Sequence, residues 1–230
     1  MNVGIQKLFS EVPRTYELVN HVLTFGFDIL WRRTAAKVAV SGGGTQWLDL
    51  CSGTGEMALS LRQIGGDEVT VVAADFSLPM LRHLKEKPEA ENIVLTLAEA
   101  SQLPFPNNTF DLGTLSFATR NIKVSRDDLI QCFREFHRII KPGGRFVILE
   151  TSQPPSRCIR WLIHTYVRLF VRPVGFIISG SRTPYAYLSR TIRRFYEAEE
   201  LSDIIKQAGF SEVTFKRLLF GITAIHKALK

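Results

Sequence analysis

No stretch of this 230-residue chain reaches the ~18 uncharged apolar residues that a membrane-crossing helix needs. The nearest approach, Trp161–Ile178, is broken by Arg168 and Arg172. Met1–Ser10 lacks the apolar core of a secretory signal. Cysteines are few: Cys51, Cys132 and Cys158 are odd in number and show neither C-x-x-C nor metal-ligand spacing, which argues against a disulfide framework and against a zinc site. Three free thiols and a cytoplasmic location are expected, and no metal. Repeats and low-complexity tracts are absent too. Acidic residues are the scarcer charge, 22 Asp plus Glu against 29 Lys plus Arg, a net +7 concentrated after Arg157. Such an excess suits nucleic acid, an anionic membrane surface or an acidic ligand. The chain has no basic-aromatic interleaving and no nucleic-acid motif, so nucleic acid is not an expected partner.

What is present is alternation. Strands are predicted over Gln46–Leu50, Val69–Ala74, Ile93–Leu97, Leu112–Phe117 and Arg145–Glu150. Helices are predicted over Met57–Ile64, Pro79–Lys87, Arg126–Ile140 and Glu199–Ala208, with a Ser125/Asp128 capping box on the third. Pro13–Phe25, behind a Ser10 cap, and Phe27–Val40 read as two more helices split by Gly26. This pattern predicts a Rossmann-like α/β fold, a mostly parallel sheet with helices on both faces. Val213–Leu219 and Ile222–His226 are joined only by Phe220-Gly221, a connection that antiparallel strands alone can make, so the final strand should be antiparallel. The expected division is one domain, 1–230: a helical cap (1–44), a cofactor-binding core (45–150), a helical substrate lid (151–198) and a closing helix with hairpin (199–230).

The most informative stretch is Asp49-Leu50-Cys51-Ser52-Gly53-Thr54-Gly55, an apolar strand running into a two-glycine loop before a helix. In open α/β sheets, ligands bind beyond the carboxyl ends of the strands. Gly53 and Gly55 allow a sharp turn and close approach to a ligand. The spacing is not G-x-G-x-x-G, since Ala58 stands where a third glycine would be. Asp49 would also repel a pyrophosphate while accepting a positively charged amino or sulfonium group. A nicotinamide cofactor is therefore disfavoured. Asp75 ends the second strand, where a carboxylate can accept from both ribose hydroxyls. Glu99 and Ala100 follow the third, where a carboxylate can accept from an adenine amino group.

These motifs, in this order, resemble those of class I S-adenosylmethionine-dependent methyltransferases. The resemblance narrows to the ubiquinone/menaquinone biosynthesis C-methyltransferases through Leu18-Val19-Asn20 to Gly26, Leu30-Trp31-Arg32-Arg33, Asp75-Phe76-Ser77-Leu78-Pro79-Met80-Leu81, Ser116-Phe117-Ala118-Thr119-Arg120-Asn121-Ile122, Lys141-Pro142-Gly143-Gly144, and Tyr185-Ala186-Tyr187-Leu188 with Ile192-Arg193-Arg194-Phe195. Glu99, Ala118, Thr119 and Tyr196 depart from the family's usual residues. The resemblance implies a seven-stranded sheet and S-adenosylmethionine as cofactor. It implies Asp49, Gly53, Thr54 and Gly55 at the methionine part, Asp75 with Phe76 at the ribose, Glu99 and Ala100 at the adenine, and Ser116 in the pocket beyond the fourth strand. The implied reaction is C-methylation of a prenylated quinol, demethylmenaquinol first and a ubiquinone precursor second. Another small phenolic or lipid acceptor remains the alternative, as does a non-catalytic cofactor-binding subunit.

A ring carbon becomes nucleophilic when a neighbouring hydroxyl ionises, so the site needs a proton acceptor or a cation that favours the phenolate. Arg120 is the candidate cation and Asn121 the candidate holder of a water or a quinol oxygen. Tyr16 and Tyr187 are further candidates, while His164 and His226 read as packing or surface residues. After Pro154-Pro155-Ser156, the residues Arg157, Arg160, His164 and Arg168 fall on one helical stripe, with Ile159, Leu162, Ile163, Tyr166, Leu169 and Phe170 opposite. A core-packed helix with a solvated basic face is one reading. Transient contact with an anionic membrane surface at its cytoplasmic side, made with Arg190, Arg193 and Arg194, is the other. A homodimer stays open.

Overall fold

The computed structural model describes residues 13–122 and 125–230. The Ser10 cap lies outside them. Seven strands form one sheet in the order β3-β2-β1-β4-β5-β7-β6: β1 (Gln46–Leu50), β2 (Thr70–Asp75), β3 (Ile93–Leu97), β4 (Phe110–Ser116), β5 (Ile140–Thr151), β6 (Glu212–Leu218) and β7 (Thr223–Leu229). β1 through β5 pair in parallel. β7 is antiparallel to both neighbours, β5 and β6, so the last strand in sequence lies inside the sheet and β6 forms its edge. The hairpin closes through Leu219–Gly221, where Leu219, Phe220 and Gly221 all have positive φ.

The helices are α1 (Pro13–Leu23), α2 (Phe27–Val40), α3 (Glu56–Gly65), α4 (Leu78–Lys85), α5 (Thr119–Ile122), α6 (Arg126–Ile139), α7 (Arg157–Ser179), α8 (Thr183–Ile192) and α9 (Ala198–Gln207). Ser125 caps α6, its Oγ accepting from Asp128 N at 3.1 Å. The two-residue period of the strands divides the core. Leu48, Leu50, Val72, Ala74, Phe146 and Ile148 pack under α6 and α9. Val71, Ala73, Val147 and Leu149 pack under α2 and α3 on the opposite face. Val19, Val167, Val171 and Tyr185 make a third, smaller core joining α1, α7 and α8.

Two expectations need correction. β5 begins at Ile140, not Arg145: Ile140 pairs with Phe110 ahead of the Lys-Pro-Gly-Gly turn, and a register shift between Phe110 and Leu112 absorbs the irregularity. Turn residues conceal such a strand start in the sequence. On α7, Leu162, Leu169 and Phe170 belong to the arc expected against the core, yet all three are exposed. Arg160 and His164, expected on the solvated basic stripe, turn inward instead. Arg160 donates to Pro154 O and to Glu197, and His164 Nε2 sits 2.8 Å from Gln153 Oε1.

The Phe146 ring is fully buried, 5.3 Å from the Phe136 ring and 6.1 Å from Phe210. It fits because Gly113 has no Cβ; one added there would lie 2.5 Å from the Phe146 ring. Phe146→Ala is expected to cost ~3–5 kcal/mol in urea unfolding, and Gly113→Ala alone ~1–3 kcal/mol by overpacking. The double variant should lose less than the sum, because each change relieves the other. Additive losses would contradict this packing.

Candidate active site

Loops leaving the carboxyl ends of β1, β2 and β4 meet on one edge of the sheet, at the point where strand order reverses. Their residues, with α1, line a cleft that opens to solvent, the place where open α/β sheets bind their ligands. Its walls include Tyr16, Asp49, Gly53, Thr54, Asp75, Phe76, Ser116 and Asn121. Cys51 and Phe117 both have left-handed φ, 50° and 55°. The chain therefore turns sharply as it leaves β1 and β4. Gly53 also has positive φ with open space where a Cβ would be, while Gly55 needs to be glycine because a Cβ would meet Leu84 at 2.2 Å.

Two buried carboxylates hold the loops. Asp75 accepts from Gly53 N and from Ser77 N, each at 2.8 Å. Asp49 accepts from Ala58 N, in the first turn of α3, at 3.1 Å and from Thr114 Oγ1 at 2.8 Å. Burial pushes Asp75 up to about 6 and Asp49 up to about 7, against the hydrogen bonds that favour their charged forms. Ser52 Oγ, Ser116 Oγ and Asn121 Oδ1, all from residues of the cleft walls, are buried without hydrogen-bond partners. Buried polar atoms are nearly always paired, so these three point to a polar ligand. Glu99 and Ala100 do not line the cleft; Ala100 is a core residue.

A second, mostly apolar cavity of about 380 Å³ adjoins the first. α1 and α2, α7 and α8, and the β6–β7 turn supply its walls, among them Leu23, Ile163, Val167, Leu188 and Leu219. Tyr16, Arg32 and Phe117 belong to both cavities and so form the partition. Arg120 lies in the apolar wall and Asn121 in the polar one. Arg120 Nη1 is 2.7 Å from Glu150 Oε1, and both side chains are buried. Arg120 Nε and Thr223 Oγ1 are the partnerless buried polar atoms of the apolar wall among the described residues. Tyr187 lines neither cavity. Burial raises its phenol pKa, and the nearby Arg120 lowers it less. His226 is a packing residue, as expected: it is buried, bonded to Ala198 O, and pushed down to about 4 by burial.

The sequence reading missed the partition's support. Arg32 donates to Asp28 at 2.7 Å and to Glu56 at 3.0 Å, and its guanidinium lies 5.2 Å from the Phe117 ring centroid. His21 Nδ1 meets the same Asp28 carboxylate at 2.8 Å. His21, Asp28 and Glu56 stand close enough for a metal ion, but both carboxylates are already bonded by the Arg32 cation. Asp28 and Arg32 stand four apart on a predicted helix, the one signal that could have found them. The acidic Glu150 ending an apolar strand was the signal for Arg120's partner.

The sequence model of the ubiE/COQ5 methyltransferase family matches residues 2–230. A demethylmenaquinone methyltransferase of Thermus thermophilus is 37% identical over 221 residues, 95% of this chain and 98% of the relative. A ubiquinone/menaquinone biosynthesis C-methyltransferase UbiE of Desulfotalea psychrophila is 35% identical over 227 residues, 99% of this chain and 90% of the relative. Among solved structures, a SAM-dependent methyltransferase from Thermotoga maritima superposes with a TM-score of 0.68 at 17% identity, covering 98% of this chain and 99% of its own. At that identity the likeness speaks for the fold alone, the class I methyltransferase fold.

A carboxyl whose pKa is higher in the fold than in the unfolded chain binds its proton more tightly when folded. Its ionisation therefore costs stability, and the cost is complete once the pH passes the folded value. For Asp49, the rise from 3.8 to about 7 corresponds to at most about 4 kcal/mol. Asp49→Asn can keep both contacts, its oxygen accepting from Ala58 N and its amide donating to Thr114 Oγ1. At pH 8 this variant is expected to unfold at higher urea than the parent, with a margin that shrinks as the pH falls below about 7. A variant less stable than the parent at pH 8 would contradict the assignment.

Proposed function

The chain belongs to the ubiE/COQ5 methyltransferase family, and on that premise we propose that it transfers a methyl group from S-adenosylmethionine to a ring carbon of demethylmenaquinol, a prenylated quinol. The observation that carries this reading is the pair of adjoining cavities, one polar and one apolar, divided by Tyr16, Arg32 and Phe117. A ring on a long apolar tail is the acceptor such a pair suits. The relatives' names agree, being demethylmenaquinone and ubiquinone/menaquinone biosynthesis methyltransferases.

The polar cleft fits the cofactor on its donor set. Asp75 would hold the ribose hydroxyls, and Gly53 and Thr54 would leave room for the methionine part beside the Asp49 carboxylate. The unpartnered Ser52, Ser116 and Asn121 atoms would complete polar contacts, and Phe76 and Met80 would give the apolar wall. S-adenosylmethionine, when bound, supplies an already electrophilic methyl group. The protein's task is then alignment, which contributes on the order of 7–11 kcal/mol, and activation of the ring carbon. Arg120 does the second. Its free Nε–H donates to the quinol oxygen and favours the phenolate, and ionisation pushes charge onto the ring carbon. Glu150 fixes the guanidinium from behind. Asn121, on the polar side, orients the water that takes the hydroxyl proton. Once the carbon–methyl bond has formed, the ring carbon gives up its own proton and the oxygen is reprotonated, which restores the aromatic quinol. Tyr16 closes the partition. In this reading residues 1–44 act as a cap, and residues 151–198, with α7 and α8, as the lid over the acceptor.

Arg120→Lys keeps a cation beside Glu150 while removing the free Nε–H. Its kcat on demethylmenaquinol should fall ~10²–10³-fold, the usual loss of one oxyanion donor, with S-adenosylmethionine affinity by calorimetry nearly unchanged. Removing the prenyl tail should raise KM at least about tenfold and change kcat less, since the tail contributes binding away from the ring. Unchanged kcat in Arg120→Lys would remove Arg120 from the chemistry. A tail-independent KM would point to another small phenolic acceptor.

A further inference from the structure

Between Thr151 and Tyr196 the chain carries eight arginines and no Asp, Glu or Lys. That segment alone accounts for the net charge of +7, and the rest of the molecule is close to neutral. The same segment holds α7, a helix of 23 residues that is long and apolar enough to cross a membrane by length and composition alone. Packing argues against a crossing. Val167, Val171 and Gly175 are buried on one face, and a Cβ on Gly175 would lie 2.1 Å from the Tyr185 ring. Tyr166 Oη donates to Leu23 O at 2.9 Å, tying α7 to α1.

The opposite face has no cover. Trp161, Leu162, Leu169, Phe176 and Ile177 are exposed, Ile177 by 79%. At ~100° per residue, Arg157, Trp161, Arg168 and Arg172 fall within about 60° of one another along one flank of that apolar arc; all four are exposed. An apolar face edged by arginines and carrying a tryptophan at the border is the pattern of a helix that lies in a lipid interface. Phe25, whose ring lies 6.2 Å from that of Tyr166 on α7, and Phe220 in the β6–β7 turn are exposed as well, by 78% and 73%. Phe25, Leu162 and Leu219 also line the apolar cavity, so the patch reaches its mouth.

We propose that the exposed face of α7, with Phe25 and Phe220, docks in the plane of an anionic phospholipid bilayer and sets the mouth of the apolar cavity against the lipid. Charge selects this occupant. A second copy on a two-fold axis would bring the same surface against itself, arginine facing arginine, whereas an anionic headgroup layer would neutralise Arg157, Arg168 and Arg172 along the flank of α7. The surface itself rests on exposure and charge. Its use as an entrance for an acceptor tail rests on the proposed acceptor.

The test is sedimentation of the full chain with phosphatidylglycerol/phosphatidylcholine vesicles, against phosphatidylcholine alone, with tryptophan emission recorded. Trp31 and Trp47 are buried, so a spectral shift reports Trp161. The parent should bind anionic vesicles at low salt with a blue shift and should bind neutral ones at least tenfold more weakly. Leu169→Glu/Ile177→Glu and Arg168→Glu/Arg172→Glu alter exposed positions outside both cavities. Each should lose at least tenfold in vesicle affinity while keeping parental turnover on a short-tailed, water-soluble quinol. No binding, variants that bind like the parent, or a dimer in which Trp161 is shielded would overturn the docking. If vesicles fail while short-tailed quinol is still methylated, docking alone falls. If vesicles bind and no quinol is methylated, the acceptor reading falls and the docking surface stands.

Discussion

Arg32 is where the molecule's two halves are joined. Its guanidinium bridges Asp28 on its own helix and Glu56 at the start of the loop-proximal helix α3, and it rests against the Phe117 ring. A buried cation with one carboxylate would leave the second uncompensated, and a single unpaired charge in such a setting costs several kcal/mol. The three groups therefore hold together as a unit, and α1 and α2 stay fixed over the carboxyl edge of the sheet. Lys87 adds a second tie, donating to Thr54 O at 2.9 Å and pairing with Glu17 of α1. Without these ties the polar cleft would lose one wall and the apolar cavity its partition.

Charge is distributed by the same logic of compensation. Inside, Arg120 is matched by Glu150, and Arg32 is shared between two acids, Asp28 and Glu56, beside the cavities. Asp49 and Asp75 are the exceptions, carboxyls held by neutral donors and raised by burial. That leaves the cofactor cleft with acceptor capacity suited to hydroxyl and cationic groups. Outside, the imbalance is concentrated on α7, α8 and the turn after them, where the Arg160–Glu197 pair offsets one of the eight arginines.

The period of apolar residues carried most of the fold. β1, β3 and α2 have the bounds that patterning alone assigns, and the short connection around Phe220-Gly221, four residues long from Leu219 to Ile222, already marks β6 and β7 as an antiparallel hairpin. Period does not say which arc of a helix is covered. Leu162, Leu169 and Phe170 follow helical spacing as well as any core residue, but the partner surface that would bury them is missing. The strand-end loops were legible because a turn with two glycines and an acid at each strand end is local information. The partners of Arg32 and Arg120 were not, since Glu56 and Glu150 lie 24 and 30 residues away in sequence and meet them only through the sheet. Glu99 has the right position along the chain but stands outside the cleft walls.

The central claim is that two adjoining cavities, separated by one partition, take cofactor and acceptor side by side. Calorimetry with S-adenosylhomocysteine and a prenylated naphthoquinone, each titrated alone and then in the presence of the other, tests it most directly. Each is expected to bind in the presence of the other, with a ternary complex at saturation. Mutual exclusion would contradict it, because one cavity would then be serving both ligands.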